Sequence, residues 1–256
     1  MKDKSGRSIN YLRISVTDKC NFRCRYCMPD PVPDVEHEEI LRYEEILRIC
    51  EAAVRLGIRK FKITGGEPLV RKGCVDFMRR LKETDGVETV TLTTNGMFVK
   101  EHIEEFKHMG LDGINISLDT LDRKQFRRLT GTDGADAVVE AVSACASAGL
   151  KTKVNSVLLS ETKSQILRLA HLAQEMAVDV RFIEVMPIGF GRFEKGPTED
   201  AVLQILQAEY PDLAYRRDVR GNGPAVYYGS SLLQGYIGFI AANTHRFCDE
   251  CNRMRL

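Results

Sequence analysis

The chain has 256 residues, of which 43% are hydrophobic and 29% charged, and its formal net charge is +1. That length supports a sizeable core in one large α/β domain or two small ones. The near-zero charge excludes a protein that coats nucleic acid or an anionic membrane, so any basic site is local.

In chain order, short β-rich runs alternate with longer amphipathic segments. "YLRISVT" (11–17) precedes a helical stretch expected from about Glu38 to Leu56, and "RKFKITGG" (59–66) precedes "GCVDFMRRLKE". "TVTLTTNG" (89–96) leads into "VKEHIEEFKHMG", and "GINISLD" (113–119) into a helix near 134–148. "KTKVNSVLL" (151–159) precedes "KSQILRLAHLAQEM", and "VDVRFIEVMPIG" (178–189) closes six βα-like units. Such alternation implies parallel strands with right-handed crossovers, hence an α/β fold. A complete eight-unit barrel takes about 250 residues. The pattern here stops near 190, which predicts an incomplete (β/α)6 TIM-like barrel over 1–190 with a small C-terminal region over 191–256. That region should hold a helix near 199–209 and short β-like runs ("PAVYYG", "GYIGFIAANTH"), a small second region able to cover the barrel's open side.

No run reaches the roughly 18 apolar residues of a membrane span. The start "MKDKSGRSINYLR" lacks a signal-peptide core. Both points favour a cytoplasmic protein without a membrane partner. Eight cysteines in a reducing compartment then suggest metal ligands, redox groups or buried small residues rather than disulfides.

Three of them, Cys20, Cys24 and Cys27, form C-x3-C-x2-C directly after the first strand. In a barrel of this kind the loops after the strands form the active-site face. Three thiolates on one loop can hold three corners of a 4Fe-4S cluster and leave the fourth iron open. A structural zinc site wants four ligands in paired knuckles, and a cluster that only carries electrons is normally closed by four cysteines.

With Tyr26 as its aromatic, this C-x3-C-x-Φ-C motif resembles the signature of the radical S-adenosylmethionine (radical SAM) superfamily. The resemblance implies that the SAM amine and carboxylate chelate the open iron, and that one electron from the cluster cleaves the sulfonium to a 5′-deoxyadenosyl radical. It also implies that "TGGEP" (64–68) meets the methionine end of SAM, where Gly65 and Gly66 admit a close backbone approach. "TTNG" (93–96) and "SLD" (117–119) end the next two strands, with groups able to bond ribose or phosphate oxygens or simply to cap helices and turns.

The likeness extends further. "GRSINYLRISVTDKCNFRCRYCMP", "ITGGEPLVRKG", "LTTNG", "INISLD", "KVN", "RFIEVMPIG" and "FCDECNRMRL" resemble, in order and over nearly the whole chain, the molybdenum-cofactor GTP 3′,8-cyclase family. That implies abstraction of the ribose C3′ hydrogen and attack on guanine C8, giving 3′,8-cyclo-7,8-dihydro-GTP at the first step of molybdopterin synthesis. It implies a SAM site lined by Tyr26, Gly66, Ser117 and Met186, and a GTP site of Arg13, Lys62, Thr93 and Lys153. All four of these lie on strands or strand ends and three are cations, as a triphosphate requires. Family members often carry Arg where Lys62 stands.

By the same resemblance Cys248 and Cys251, as C-x2-C, hold a second 4Fe-4S cluster with a third cysteine further on, and Arg253, Met254 and Arg255 approach the nucleotide. The sequence ends at Leu256 before that third cysteine. The expectation is therefore a C-terminal truncation, with the second cluster absent, labile or completed by further residues. The C-x2-C pair also reads as a redox pair or half a zinc knuckle. Implied partners beyond GTP are an electron donor such as flavodoxin or ferredoxin, a second copy of the chain and the next pterin-forming enzyme. Two alternatives stay open: a peptide-modifying radical SAM enzyme with an auxiliary cluster, and a non-catalytic iron-sulfur or zinc protein. Cys50, Cys74 and Cys145 read as small buried hydrophobes, and the five histidines show no ligand spacing.

Overall fold

Outward-facing residues of the first strands explain the fold. In the computed structural model, which describes residues 2–4, 6–28, 30, 39–217, 220–244 and 251–256, Leu12, Ile14, Phe61, Ile63, Val90, Leu92, Ile114, Ile116 and Val154 are all buried. They join Phe77, Met78, Leu81, Phe106, Val138 and Leu169 of the surrounding helices in one core. Burial of such β-branched and aromatic side chains contributes roughly 1.5–3 kcal/mol each. The alternate residues of the same strands are polar, as a period of two demands.

The six expected units appear as β1 (Tyr11–Ser15), α1 (Tyr43–Arg55), β2 (Lys60–Thr64), α2 (Cys74–Lys82), β3 (Thr89–Thr94), α3 (Ile103–His108), β4 (Gly113–Ser117), α4 (Arg123–Thr130), α5 (Ala135–Ser147), β5 (Thr152–Leu158), α6 (Ile166–Glu175) and β6 (Asp179–Glu184). Then follow α7 (Glu199–Glu209), β7 (Ala214–Arg216), β8 (Val226–Gly229), β9 (Ile237–Ile240) and β10 (Arg253–Arg255). The sheet runs β10-β1-β2-β3-β4-β5-β6-β9-β8-β7. Every pair from β10 to β9 is parallel, and β8 and β7 add an antiparallel hairpin at one edge.

Three differences from the sequence expectation stand out. Helix α1 starts at Tyr43, where the Glu45 carboxylate accepts the Arg42 backbone N–H at 2.8 Å and fixes the first turn. Helix α4 was not expected; Asp122 caps it by accepting the Gln125 N–H at 2.8 Å, and Gly131 closes it with φ of 72°. The described strands of 191–256 do not form a separate layer but extend the sheet at its two edges, with β9 beside β6 and β10 beside β1. Leu256 N–H donates to Arg13 O and Ser15 N–H to Leu256 O, both at 2.9 Å, so the last residues are clasped onto the first strand.

Candidate active site

The loop after β1 carries Cys20, Cys24 and Cys27, with Cys20 and Cys24 half-buried and Cys27 exposed. Helix α4 shapes it. Arg23 N–H donates to Thr130 O at 2.7 Å, Arg25 N–H donates to Leu129 O at 3.0 Å, and the Phe22 ring meets Phe126 edge-on at 5.6 Å. Burial pushes all three thiols up, and each also feels another thiol's negative charge or a nearby carboxylate. Cys20 Sγ accepts the Phe22 N–H at 3.4 Å and faces the Asn95 amide at 4.0 Å.

This donor set fits an iron-sulfur cluster. Three mutually interacting thiols share one loop with N–H groups aimed at sulfur, while the other described cysteines lie in helices or beside β10. Among the described residues no three Cys, His, Asp or Glu side chains gather tightly enough to grip one ion. Thiols that share a cubane each ligate a different iron, so such a tight grip is not needed.

The turn after β2 is pressed against this loop. A Cβ on Gly65 would lie 2.5 Å from Thr17 O, and one on Gly66 2.6 Å from Asp18 O, so only glycine fits at either place. Gly66 N–H donates to Thr17 O at 2.6 Å and Glu67 N–H to Lys19 O at 2.9 Å. The fully buried Glu67 carboxylate accepts from Thr94 Oγ1 (2.7 Å), Asn95 N–H (2.6 Å) and Leu69 N–H (3.0 Å), tying the ends of β2 and β3 together. Tyr26 donates its hydroxyl proton to Asp119 at 2.7 Å. Asp119 also accepts the Val157 N–H, and burial raises its carboxyl to about 6. Ser117 lies beside Asn155 at the same end of the sheet, and Met186, just past β6, is 44% exposed.

Below this loop the concave face is cationic. Arg13 and Lys62 are partners in register on β1 and β2, with Lys153 on β5 and Arg181 on β6. Lys62 lines one cavity with Lys153 and Arg181 although their strands lie three and four places away, so the sheet curls round to bring them together, and the charges of Arg181, Arg13, Arg253 and Lys153 all bear on Lys62. Burial first, and these cations second, pull the Lys62 ammonium well below the ordinary lysine value. Among the described residues neither Arg13 nor Arg181 has a carboxylate partner. Arg13 meets only Thr64 Oγ1 at 3.3 Å, and Arg181 rests on the side-chain oxygens of Asn115 and Asn155 at 2.5–2.9 Å. Thr93 Oγ1 sits 3.4 Å from the Asn115 amide. Lys153 is the exception, paired with Asp179 at 3.3 Å and bonded to Tyr227 Oη at 3.0 Å.

Strand β10 adds two more cations. Arg255 pairs in register with Arg13 and Arg253 with Tyr11, and their charges help to lower the Arg13 guanidinium after burial. Met254 alternates to the other face, beside Leu12, and is 43% exposed, so its side chain is not among the cations. Cys251 precedes them. Burial would raise its thiol, but hydrogen bonds from Arg253 outweigh this and lower it. Cys248 and His245 lie outside the described residues.

Sequence reasoning missed Arg181, Asp179, Glu67 and Asp119 as site residues. Arg181 carried a weak signal: like Arg13 it is a cation inside a strand run, although Asp179 and Glu184 share its strand. Cys50, Cys74 and Cys145 are buried in helices as expected.

A parallel, incomplete barrel with an open three-thiol loop at the strands' C-terminal ends defines a class, and comparison with known proteins agrees. A family model described as "Radical SAM superfamily" matches residues 14–173, and one described as "Molybdenum Cofactor Synthesis C" matches 178–256. The structure of Streptococcus suis SuiB bound to S-adenosylmethionine is similar with a TM-score of 0.67 at 20% identity, covering 79% of this chain and 48% of that one, a likeness of fold. A GTP 3′,8-cyclase of Clostridium perfringens (strain 13 / Type A) is 43% identical over all of this chain and 80% of its own length. One from Thermodesulfovibrio yellowstonii is 39% identical over all of this chain and 81% of its own length. The chain belongs to the GTP 3′,8-cyclase family of radical SAM enzymes. Among the described residues no helix is long and apolar enough to cross a membrane.

Proposed function

We propose that this chain rearranges GTP to 3′,8-cyclo-7,8-dihydro-GTP as the first step of molybdenum cofactor biosynthesis. The observation that carries this reading is the concave face of Arg13, Lys62, Lys153 and Arg181 beneath the three-thiol loop. Arg13, Lys62 and Arg181 are buried or half-buried without carboxylate partners among the described residues, which is costly unless an anion joins them, and a triphosphate supplies several negative charges in one ligand. A peptide substrate would leave these charges unanswered.

Cys20, Cys24 and Cys27 would hold the first 4Fe-4S cluster, which with SAM supplies the one-electron radical chemistry. Tyr26, Gly66, Ser117 and Met186 would line the SAM site. Glu67 and Asp119 act at one remove: Glu67 fixes the glycine turn, and Asp119 fixes the Tyr26 ring. Arg13, Lys62, Thr93 and Lys153 would bind the triphosphate, with Arg181 as a fifth member, while Arg253 and Arg255 reach the nucleotide from β10. This arrangement would orient the ribose toward the cysteine loop. Cys248 and Cys251 would hold a second cluster together with a further ligand. An electron donor of the flavodoxin or ferredoxin kind, a second copy of the chain and the next pterin-forming enzyme complete the expected partners.

The test is anaerobic reconstitution with iron and sulfide, followed by SAM, GTP and a strong reductant, with 5′-deoxyadenosine and the cyclised nucleotide measured together. Both products are expected. Deoxyadenosine without any cyclised nucleotide, in this chain and in a C-terminally extended one, would overturn the GTP assignment.

A further inference from the structure

Between β7 and β8 the sequence Arg220-Gly221-Asn222-Gly223 forms a turn that the roles above do not use. It lines a cavity of about 450 Å³ together with Lys62, Lys153 and Arg181. Arg220 fixes the turn in place: its Nε and Nη2 donate to the Asp179 carboxylate at 3.0–3.2 Å, and its guanidinium sits 3.9 Å from the centre of the Tyr236 ring. The Arg220 carbonyl accepts from Lys153 Nζ, and from Tyr227 Oη at 3.3 Å. Gly221 has φ of +129°, and a Cβ there would lie 3.3 Å from Lys153 Nζ, so a side chain would meet both strain and the lysine.

What the turn leaves open matters more. Among the described residues the backbone N–H groups of Gly221, Asn222 and Gly223, the Asn222 side-chain amide and Arg220 Nη1 have no hydrogen-bond partner. Successive N–H groups in a glycine-rich turn make an anion-binding concavity. The cavity lining carries five cations (Lys62, Lys151, Lys153, Arg181 and Arg220) against two carboxylates, Asp112 and Asp179. Both carboxylates are already engaged, Asp112 by Lys82 at 2.5 Å and Asp179 by Lys153 and Arg220.

We infer that this turn is an oxyanion subsite for the terminal phosphate of a nucleoside triphosphate, and that it sets the preference for a triphosphate over a diphosphate. The inference rests on the reading of the barrel interior as a nucleotide site. Position supports the terminal phosphate in particular. Asp179 begins β6 and Lys153 is the second residue of β5, whereas the cysteine loop follows the end of β1. A nucleotide with its ribose toward the thiols therefore places its last phosphate at the opposite end of the strands, against this turn. Asp179 is a positioning residue, 4% exposed, which holds Arg220 with Nη1 free.

Equilibrium binding of GTP and of GDP to the reconstituted holoenzyme tests this in the wild type, Arg220→Ala and Asn222→Ala. Arg220→Ala should weaken GTP about tenfold or more, the size expected for one charge-assisted contact, and leave GDP within about twofold. Asn222→Ala keeps the Asp179–Arg220 pair and should move the GTP-to-GDP ratio the same way by a smaller factor; it decides the matter if Arg220→Ala fails to fold. A ratio unchanged in Asn222→Ala and Arg220→Ala, or equal losses for both nucleotides, would overturn the subsite. A wild type that binds neither nucleotide would overturn the nucleotide reading itself, and the subsite with it.

Discussion

The two ends of the strand barrel are perturbed in opposite directions. At the cysteine end, burial raises the three thiols, so the thiolates that iron needs are disfavoured in the bare protein. Across the concave face, burial and crowding lower both Lys62 and Arg13, and at Lys62 the charge that a phosphate needs is disfavoured. The thiols and the Lys62 ammonium are thus held away from their charged forms until a ligand of opposite sign arrives, while the Arg13 guanidinium stays charged at a cost. Metal binding pulls thiols down and an anion pulls ammonium groups up, so ligand binding recovers at both ends free energy that folding left strained. The difference teaches that the two sites should be separable by mutation.

The largest effect should come from the thiol end. Cys24→Ala should abolish the bound cluster, read as iron and sulfide content after reconstitution, and with it all SAM cleavage, while the melting temperature of the metal-free protein moves little. A cluster retained at full stoichiometry would break the comparison. At the cation end, Arg13→Ala or Lys153→Ala should cost roughly 1.5–3 kcal/mol, or about one to two decades in GTP affinity. Deoxyadenosine formation should persist, and equal loss of both readouts would show that the ends are not independent.

Proton linkage sharpens the same contrast. The Lys62 ammonium is depressed in the free protein and an anion raises it, so nucleotide binding takes up a proton above the free-protein pKa. GTP affinity should then be full at lower pH and fall as pH rises through a window below the usual lysine value. Lys62→Arg should flatten that profile, because guanidinium stays charged. A wild-type profile flat up to the ordinary lysine range would contradict the crowding of cations round Lys62.

The smallest effect concerns how the C-terminal region is attached. Glu184, at the end of β6, accepts from Asn243 N–H, Thr244 N–H, Thr244 Oγ1 and Glu199 N–H. Burial opposes its ionisation, but these bonds outweigh it and hold the carboxyl below its usual 4.5. A depressed carboxylate contributes stability that is present above the unfolded value and lost as pH falls through the folded one. Glu184→Gln should cost roughly 1–2 kcal/mol near neutral pH, and the gap between the two melting curves should close in acid. A gap that widened in acid would reverse the sign.

Much of this was legible in the sequence, and the gaps have physical reasons. The six βα units could be read because outward strand positions such as Ile14, Ile63 and Ile116 are apolar and their neighbours are not. The thiols are close in sequence, so their spacing alone carries the chemistry. Helix α4 escaped because its apolar face reduces to Phe126 and Leu129 among four basic residues and a buried Gln125 and Thr130. Strands β7 and β10 are three residues each, too short to show alternation. The clusters round Asp179 and Arg181 depend on sheet register between distant segments, such as Arg181 with Asn115 and Arg220 with Asp179. In one dimension those charges look like a solvated surface.

The most direct test of the central claim is to supply the reconstituted enzyme with GTP deuterated at C3′ and to weigh the 5′-deoxyadenosine that forms. The account predicts that deuterium moves from the ribose to deoxyadenosine in the wild type, with the amount of labelled product falling sharply in Arg13→Ala. Deoxyadenosine that forms freely yet carries no deuterium would show that the cationic face does not present GTP to the radical, and would contradict the account.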